Sequence, residues 1–163
     1  MRKEELHMIF DLQAESGKIY EISKLCTGDH QYVDRLYQFD YVPEQLQACL
    51  HIKTHGNDKM INEDDVCFSF ETDQDIDVYV LYPDKQPVLP KWLEAFERMR
   101  LNVTRIDAMP SNLKGYFSLY RKSYKKGKVI LLGNSPACML EQDWYVETKG
   151  ANYCMYSVCV KSL

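Results

Sequence analysis

The densest positive charge in the chain lies between residues 116 and 128, where lysine and arginine are interleaved with tyrosine. Cations that pair with anions and rings that stack on bases are the side chains with which proteins bind nucleic acid or an acidic protein surface. This segment is therefore the candidate partner surface, and a solvated hairpin is the alternative. Its residues are Tyr116, Tyr120, Arg121, Lys122, Tyr124, Lys125 and Lys126.

Exposed aromatic rings are the side chains on which a β-sandwich can stack the face of a sugar. Trp144 and Tyr145 are adjacent, so in a strand their rings point to opposite faces and one of them is expected to be exposed. Trp92 stands beside Leu93 and near Phe96, a pattern that favours anchoring a short helix over the core. The candidate sugar-stacking residues are Trp92, Trp144 and Tyr145, with Tyr153 and Tyr156 as further aromatic candidates.

The sequence shows no local pattern for catalysis: neither a GxSxG elbow, nor a Cys-Gly-Ser elbow, nor a glycine-rich phosphate loop occurs. His51 and His55 are four residues apart, but a strand that runs into a turn separates such residues, so we expect no metal site. No catalytic residue and no cofactor are expected. An enzyme remains the alternative only if a site is assembled from distant residues such as His51, Asp58 and Glu71.

Cysteine usage and charge bear on compartment and partners. The six cysteines could form three disulfides in an oxidising compartment. The N-terminus lacks the apolar stretch of a secretory signal, and no apolar run approaches a membrane span, so we expect a cytoplasmic protein with reduced thiols. The net charge of -4 provides no overall attraction to nucleic acid or to anionic membranes, which are not expected as partners.

Alternating apolar residues predict strands along most of the chain. Val66, Phe68 and Phe70 share one face of a strand, and residues 76–82 repeat the alternation after an acidic turn. Further strands are predicted at residues 34–39, 46–54, 102–106, 116–121, 128–132, 144–148 and 153–160. Pro90 at a first helical position predicts one short helix with Trp92, Leu93 and Phe96 on its apolar face. This succession of short strands is typical of a sandwich.

The length of 163 residues suits one well-buried domain. We assign residues 25–163 to a single β-sandwich domain and residues 1–24 to an N-terminal arm or added strand. Gly127 is expected to allow the turn before the strand at 128–132, and Gly133-Asn134 to supply positive φ at its end.

Several segments occur in the order and spacing of one domain family. They are residues 25–39, Val42-Pro43 with Leu46, Val78-Tyr79-Val80, residues 90–96 and residues 126–134. The chain resembles the carbohydrate-binding-like β-sandwich domains appended to bacterial pectate lyases and related polysaccharide-active proteins. The resemblance implies an all-β, antiparallel β-sandwich of jelly-roll or immunoglobulin-like type, places Asp34-Arg35 in a structural strand, and implies carbohydrate binding.

Because the sandwich is supported while every local catalytic pattern is absent, the sequence favours a non-catalytic binding or scaffold module. The first hypothesis is a structural subunit of a larger intracellular assembly with protein partners. The alternative is a carbohydrate-binding module that recognises a polysaccharide. Fold analogy alone does not decide between the two.

Overall fold

The computed structural model describes residues 8–106, 114–140 and 154–163, and these residues form a sandwich of two antiparallel sheets. The predicted all-β class is thereby confirmed. The described strands are β1 (Ile9–Ala14), β2 (Glu21–Lys24), β3 (Gln38–Tyr41), β4 (Leu50–Lys53), β5 (Val66–Thr72), β6 (Ile76–Pro83), β7 (Glu97–Ile106), β8 (Lys114–Tyr124), β9 (Gly127–Leu132) and β10 (Ser157–Ser162).

One sheet has three strands in the order β1-β5-β9, and the other has seven in the order β2-β4-β10-β6-β8-β7-β3. The larger sheet is strongly curled. Phe39 in β3 and His51 in β4 are separated by four intervening strands, yet their ring centroids are 5.2 Å apart. Its concave face therefore encloses part of the core. Phe68 in β5 joins the layers by contacting Tyr156, with ring centroids 6.4 Å apart.

Residues 9–24 contribute one strand to each sheet. β1 pairs with β5, and β2 pairs with β4, so both strands join members that come later in the chain. The link between them is fixed by Asp58, which is 2% exposed and accepts hydrogen bonds from Ser16 Oγ (2.9 Å) and Tyr20 OH (2.6 Å). Lys18 Nζ pairs with the same carboxylate at 3.1 Å. A polar contact thus fastens this link to the helix Gly56–Met60.

The short helix predicted after Pro90 is present as the 3-10 helix Lys91–Ala95. The prediction of a single helix was incomplete, because three more short helices, Glu44–Leu46, Gly56–Met60 and Ala137–Leu140, occur within the described residues. Trp92 anchors its helix, since its Nε1 donates to the Gly133 carbonyl at 2.9 Å. In the described part of the chain, no helix combines the length and apolarity needed to cross a membrane.

The strand predicted at residues 34–39 is wrong over its first half, because β3 begins only at Gln38. The Asp34 carboxylate accepts hydrogen bonds from the backbone amides of Gly56 (2.6 Å) and Asn57 (3.2 Å), which a strand neighbour would not provide. Arg35 therefore lies on a loop beside the helix Gly56–Met60. The strand predicted at 144–148 lies outside the described residues.

Candidate functional site

The structure separates Tyr116, near the start of β8, from the other six residues of the candidate partner surface, which lie between residues 120 and 126. Phe117 pairs with Pro83 at one end, where Tyr116 lies, and Tyr124 pairs with Ile76 at the other, next to Lys125. The seven residues therefore do not form one continuous patch, and binding of a protein partner by them stays a prediction.

Most of these residues have structural contacts. Tyr120 is only 7% exposed. Arg121 pairs with Glu97 at 2.7 Å, and Lys125 pairs with Asp75 at 3.5 Å. The Lys122 ammonium lies 5.7 Å from the ring centroid of Phe96 and 5.2 Å from that of Tyr124, and the backbone amide of Lys126 donates to Asp75. Among the three tyrosines of the set, Tyr116 alone is largely exposed.

The candidate sugar-stacking residues have different outcomes. Trp92 is half-buried and packs on Tyr156 with ring centroids 5.4 Å apart, which agrees with its helix-anchoring role. Tyr156 is fully buried. Trp144, Tyr145 and Tyr153 lie outside the described residues, so their part in sugar stacking stays a prediction.

Two exposed tyrosines lie on one row across three strands. Thr104 in β7 pairs with Tyr41 of β3 on one side and with Tyr116 of β8 on the other. Tyr41 is 56% exposed and Tyr116 is 53% exposed. Neighbouring strands are spaced by nearly 5 Å, so the two tyrosines stand about 10 Å apart on the sheet surface. We call Tyr41, Thr104 and Tyr116 the tyrosine row.

The tyrosine row lies on the convex side of the curled sheet. Arg105 and Phe117 directly follow Thr104 and Tyr116, Phe39 pairs with Arg105, and all three are buried. Successive side chains of a strand point to opposite faces, so the buried residues occupy the concave side and the tyrosines face solvent. A register shift between Phe39 and Tyr41 brings the second tyrosine onto this row.

Tyr116 also lines the larger of two adjoining cavities at the same end of the sandwich. The cavities have volumes of about 130 and 70 Å³ and share the side chains of Lys85, Arg105 and Cys154. We call them together the cationic cleft. Its charged described residues are Arg35, Lys59, Asp84, Lys85, Arg105 and Lys114, and its aromatic ones are Tyr32, Tyr37, Tyr116 and Phe117.

Among the described residues, five cationic side chains line the cleft against one carboxylate, Asp84. Arg35 pairs with Asp34 behind it, and Lys114 pairs with Asp40 at 3.1 Å. Lys59 and Lys85 make no ion pair within the described part of the chain. The pKa of Lys59 is lowered, first by partial burial and then by the charge of Arg35, with Lys85 adding to the effect.

Arg105 forms the floor of the cleft and is held rigidly. Its Nη1 donates to Gln31 Oε1 at 2.8 Å and to Tyr32 OH at 3.2 Å, and its guanidinium lies 4.0 Å from the ring centroid of Tyr37. Gly115 leaves room for this side chain, because a Cβ there would approach Arg105 Nε to 3.0 Å. The charge of Arg105 is therefore fixed in position by packing and hydrogen bonds.

Two larger cavities are chemically less suited to a sugar. One of about 510 Å³ lies at the opposite end of the sandwich, beside Leu50 and Val160, and another of about 430 Å³ lies beside Ile61 and Val66. Their described linings contain no aromatic ring, whereas the cationic cleft has four. Sugar recognition commonly needs both a ring for stacking and polar groups for hydrogen bonds.

The residues considered for a dispersed enzyme site are engaged elsewhere. His51 Nδ1 lies 2.9 Å from Asp29 Oδ2 within the curled sheet, while Asp58 binds the link between β1 and β2. Glu71 belongs to β5 in the other sheet. His55 lies beside Asp34, so the two histidines have different carboxylate neighbours. No group of three metal-ligating side chains occurs in residues 8–106, 114–140 and 154–163.

No protein-family model and no curated protein match the chain. Among solved structures, the chain is similar to a beta-glucuronidase from glycoside hydrolase family 2, with a TM-score of 0.70 and 20% identity, over 93% of this chain and 14% of that one. It is also similar to a GH138 enzyme targeting pectin rhamnogalacturonan II, with a TM-score of 0.54 and 13% identity, over 77% of this chain and 15% of that one.

The chain spans about one seventh of the length of these two proteins. At these identities the similarities show the fold, and they confirm the β-sandwich. Both neighbours are carbohydrate-active enzymes by name, which agrees with a carbohydrate-related β-domain. The narrower resemblance to domains of pectate lyases stays a prediction, as do the cytoplasmic location and the absence of enzymatic activity.

Proposed function

We propose that the chain is a non-catalytic carbohydrate-binding module. The observation that carries this proposal is the tyrosine row, in which Tyr41 and Tyr116 are exposed on one surface and Tyr116 also borders a polar cavity. Exposed tyrosine rings offer a flat apolar surface for the C–H face of a pyranose, while their hydroxyls remain in water. Because the two strand positions are about 10 Å apart, the row suits a chain of sugars better than a single unit.

The similar structures favour carbohydrate binding over the hypothesis of a structural assembly subunit. The neighbours act on carbohydrate by their names, and neither name describes an assembly subunit. The described residues of the candidate partner surface are largely engaged in contacts within the chain. Carbohydrate binding therefore comes before the hypothesis of a structural subunit with protein partners.

Substitution of the two exposed tyrosines tests the proposal. Binding of the purified chain to a panel of polysaccharides is measured by titration calorimetry and by retardation in polysaccharide-containing gels. Tyr116→Ala and Tyr41→Ala are each expected to weaken binding roughly tenfold, since a stacked ring contributes about 1 kcal/mol or more. Tyr116→Phe keeps the ring and is expected to bind nearly as well as the parent chain.

Phe10→Ala is the matched control, because Phe10 is 45% exposed but belongs to β1 in the other sheet. It is expected to leave binding unchanged. If the parent chain binds no polysaccharide of the panel, the proposed function is wrong. If it binds but both tyrosine variants bind equally well, the tyrosine row is not the binding surface.

A further inference from the structure

Two lysines of the cationic cleft bring positive charge close together. An ammonium group that is partly removed from water and close to other cations is unfavourable unless a carboxylate or another anion compensates it. Lys59 is half-buried near Arg35 and Lys85, and within the described residues no carboxylate pairs with Lys59 or Lys85. An anion bound between the two lysines would offset this positive charge.

The shape of the cleft limits what that anion can be. The two cavities total only about 200 Å³; Tyr116 of the tyrosine row lines the larger one, Lys59 lines the smaller one, and Lys85 lines both. A nucleic acid backbone would need a long basic track, whereas the chain as a whole carries a net charge of -4. A single anionic group on a sugar that stacks on the neighbouring ring fits both the volume and the charge.

We infer that the saccharide held by the tyrosine row is acidic, and that Lys59 and Lys85 bind a carboxylate of a uronic acid unit in the cationic cleft. This inference rests on the proposed function. Arg35 and Arg105 act as positioning residues: Arg35 is held by Asp34 and Asn57, and Arg105 by Gln31 and Tyr32. Their charges strengthen attraction to the carboxylate without a change of side-chain position.

Asp84 adds selectivity at the rim. Its Oδ1 accepts a hydrogen bond from Ser118 Oγ at 2.6 Å, so its position is fixed, and its side chain is exposed. A carboxylate beside the cleft repels a ligand that carries negative charge on every side. It can, however, accept a hydrogen bond from a sugar hydroxyl. The cleft therefore suits a sugar with one anionic edge and one hydroxyl-bearing edge.

The test uses an oligogalacturonate and its methyl ester, which differ in charge but keep the same sugar. Titration calorimetry on the full chain is expected to show at least about tenfold tighter binding of the acid than of the ester, because a hydrogen bond to an ionised carboxylate is markedly stronger than one to a neutral ester. Lys59→Met and Lys85→Met are each expected to lose about tenfold in affinity for the acid and to leave binding of the ester unchanged.

Lys125→Met is the matched control, because it makes the same chemical change at the opposite end of β8, where Lys125 is 92% exposed. It is expected to bind both ligands like the parent chain. An unchanged thermal unfolding midpoint of Lys59→Met and Lys85→Met confirms that they are folded. Dextran sulfate forms a further arm, and tighter binding of it than of the oligogalacturonate would overturn the assignment to a carboxylate.

The outcomes separate this inference from the proposed function. Equal affinity for acid and ester, or equal affinity of the three lysine variants for the acid, contradicts the role of the cleft while carbohydrate binding stands. Absence of binding to every saccharide, charged or neutral, contradicts the proposed function and the inference together.

Discussion

His51 lies on the concave side of the curled sheet and is fully buried, with its Nδ1 2.9 Å from Asp29 Oδ2. Burial lowers the pKa of the imidazole, and this outweighs the opposing effect of Asp29. Burial alone would raise the pKa of Asp29, but hydrogen bonds from His51, Lys53 and Ser23 lower it instead. The folded state therefore holds a neutral imidazole beside an ionised carboxylate, and this makes its stability depend on pH.

The folded chain is expected to lose stability as the pH falls from about 7 to 5. In the unfolded chain His51 takes up a proton below about pH 6.5, whereas in the folded chain its lowered pKa delays uptake, so protons favour unfolding by up to about 1.4 kcal/mol per pH unit. Urea unfolding at both pH values should show a smaller loss for His51→Gln than for the parent chain. His30→Gln, at an exposed histidine, is the control and should behave like the parent.

Single residues show where sequence reasoning succeeds and where it needs the fold. Gly127 was expected in a turn and has a φ of +129°, as its position between β8 and β9 requires. The positive φ predicted for Gly133 is wrong. A glycine is needed at position 133 because the backbone of Asn62 packs closely against it: a Cβ at this position would lie 1.9 Å from the carbonyl oxygen of Asn62. Residues 62 and 133 meet only after the sheets have formed, so no local pattern predicts this contact.

At the scale of elements, Asp58 fastens β1 and β2 to the helix Gly56–Met60. Asp58→Ala is expected to destabilise the chain by about 2–4 kcal/mol, because the buried Tyr20 hydroxyl loses its acceptor and Lys18 its partner. Urea unfolding measures the loss. Asp64→Ala is the control: its carboxylate is 65% exposed and pairs with Lys91 at 3.5 Å, so its loss should lie within about 0.5 kcal/mol. Equal losses of unfolding free energy in the two variants would contradict the role of Asp58 in holding β1 and β2 to the helix.

Alternation predicted the position of β6 but not its surroundings. Ile76, Val78 and Val80 were expected on a buried face, yet every residue of the strand is buried, Asp77 and Tyr79 included. The reason is tertiary: β6 lies between β10 and β8 in a sheet that curls around one side and packs on a second sheet on the other. Alternation of apolar and polar residues predicts a strand with one buried and one solvent-exposed face. It cannot show that another part of the protein also covers the second face.

At the scale of the whole molecule, the proposed site depends on residues that are far apart in the sequence. Arg35 lies on a loop, Lys59 lies in the helix Gly56–Met60 and Lys85 follows β6, and the three meet only at one end of the sandwich. The basic residues after Tyr116 are close together in the sequence, but they lie at the end of β8 that is remote from Tyr116. Tyr41 was not recognised at all, since its partnership with Tyr116 depends on the register of two strand pairs.

The two sheets share one continuous core, to which Phe68 and Phe70 of β5 contribute together with Val80 and Val158 of the larger sheet. Neither sheet can expose its inner face without uncovering the other. Unfolding of the described layers is therefore expected to be a single cooperative transition, as is usual for domains of this size. Loss of a core side chain in the smaller sheet should therefore lower the stability of the larger sheet by the same amount.

Phe70→Ala tests this coupling and is expected to destabilise the chain by about 3–5 kcal/mol, because it removes a fully buried ring and leaves a cavity. In a Trp144→Phe background, fluorescence reports Trp92 near the larger sheet, and far-ultraviolet circular dichroism reports all strands. Both signals should shift to the same lower urea midpoint. Phe10→Ala, on the exposed face of β1, should shift neither by more than about 0.5 kcal/mol. Separate midpoints for the two signals in Phe70→Ala would mean that the layers unfold independently.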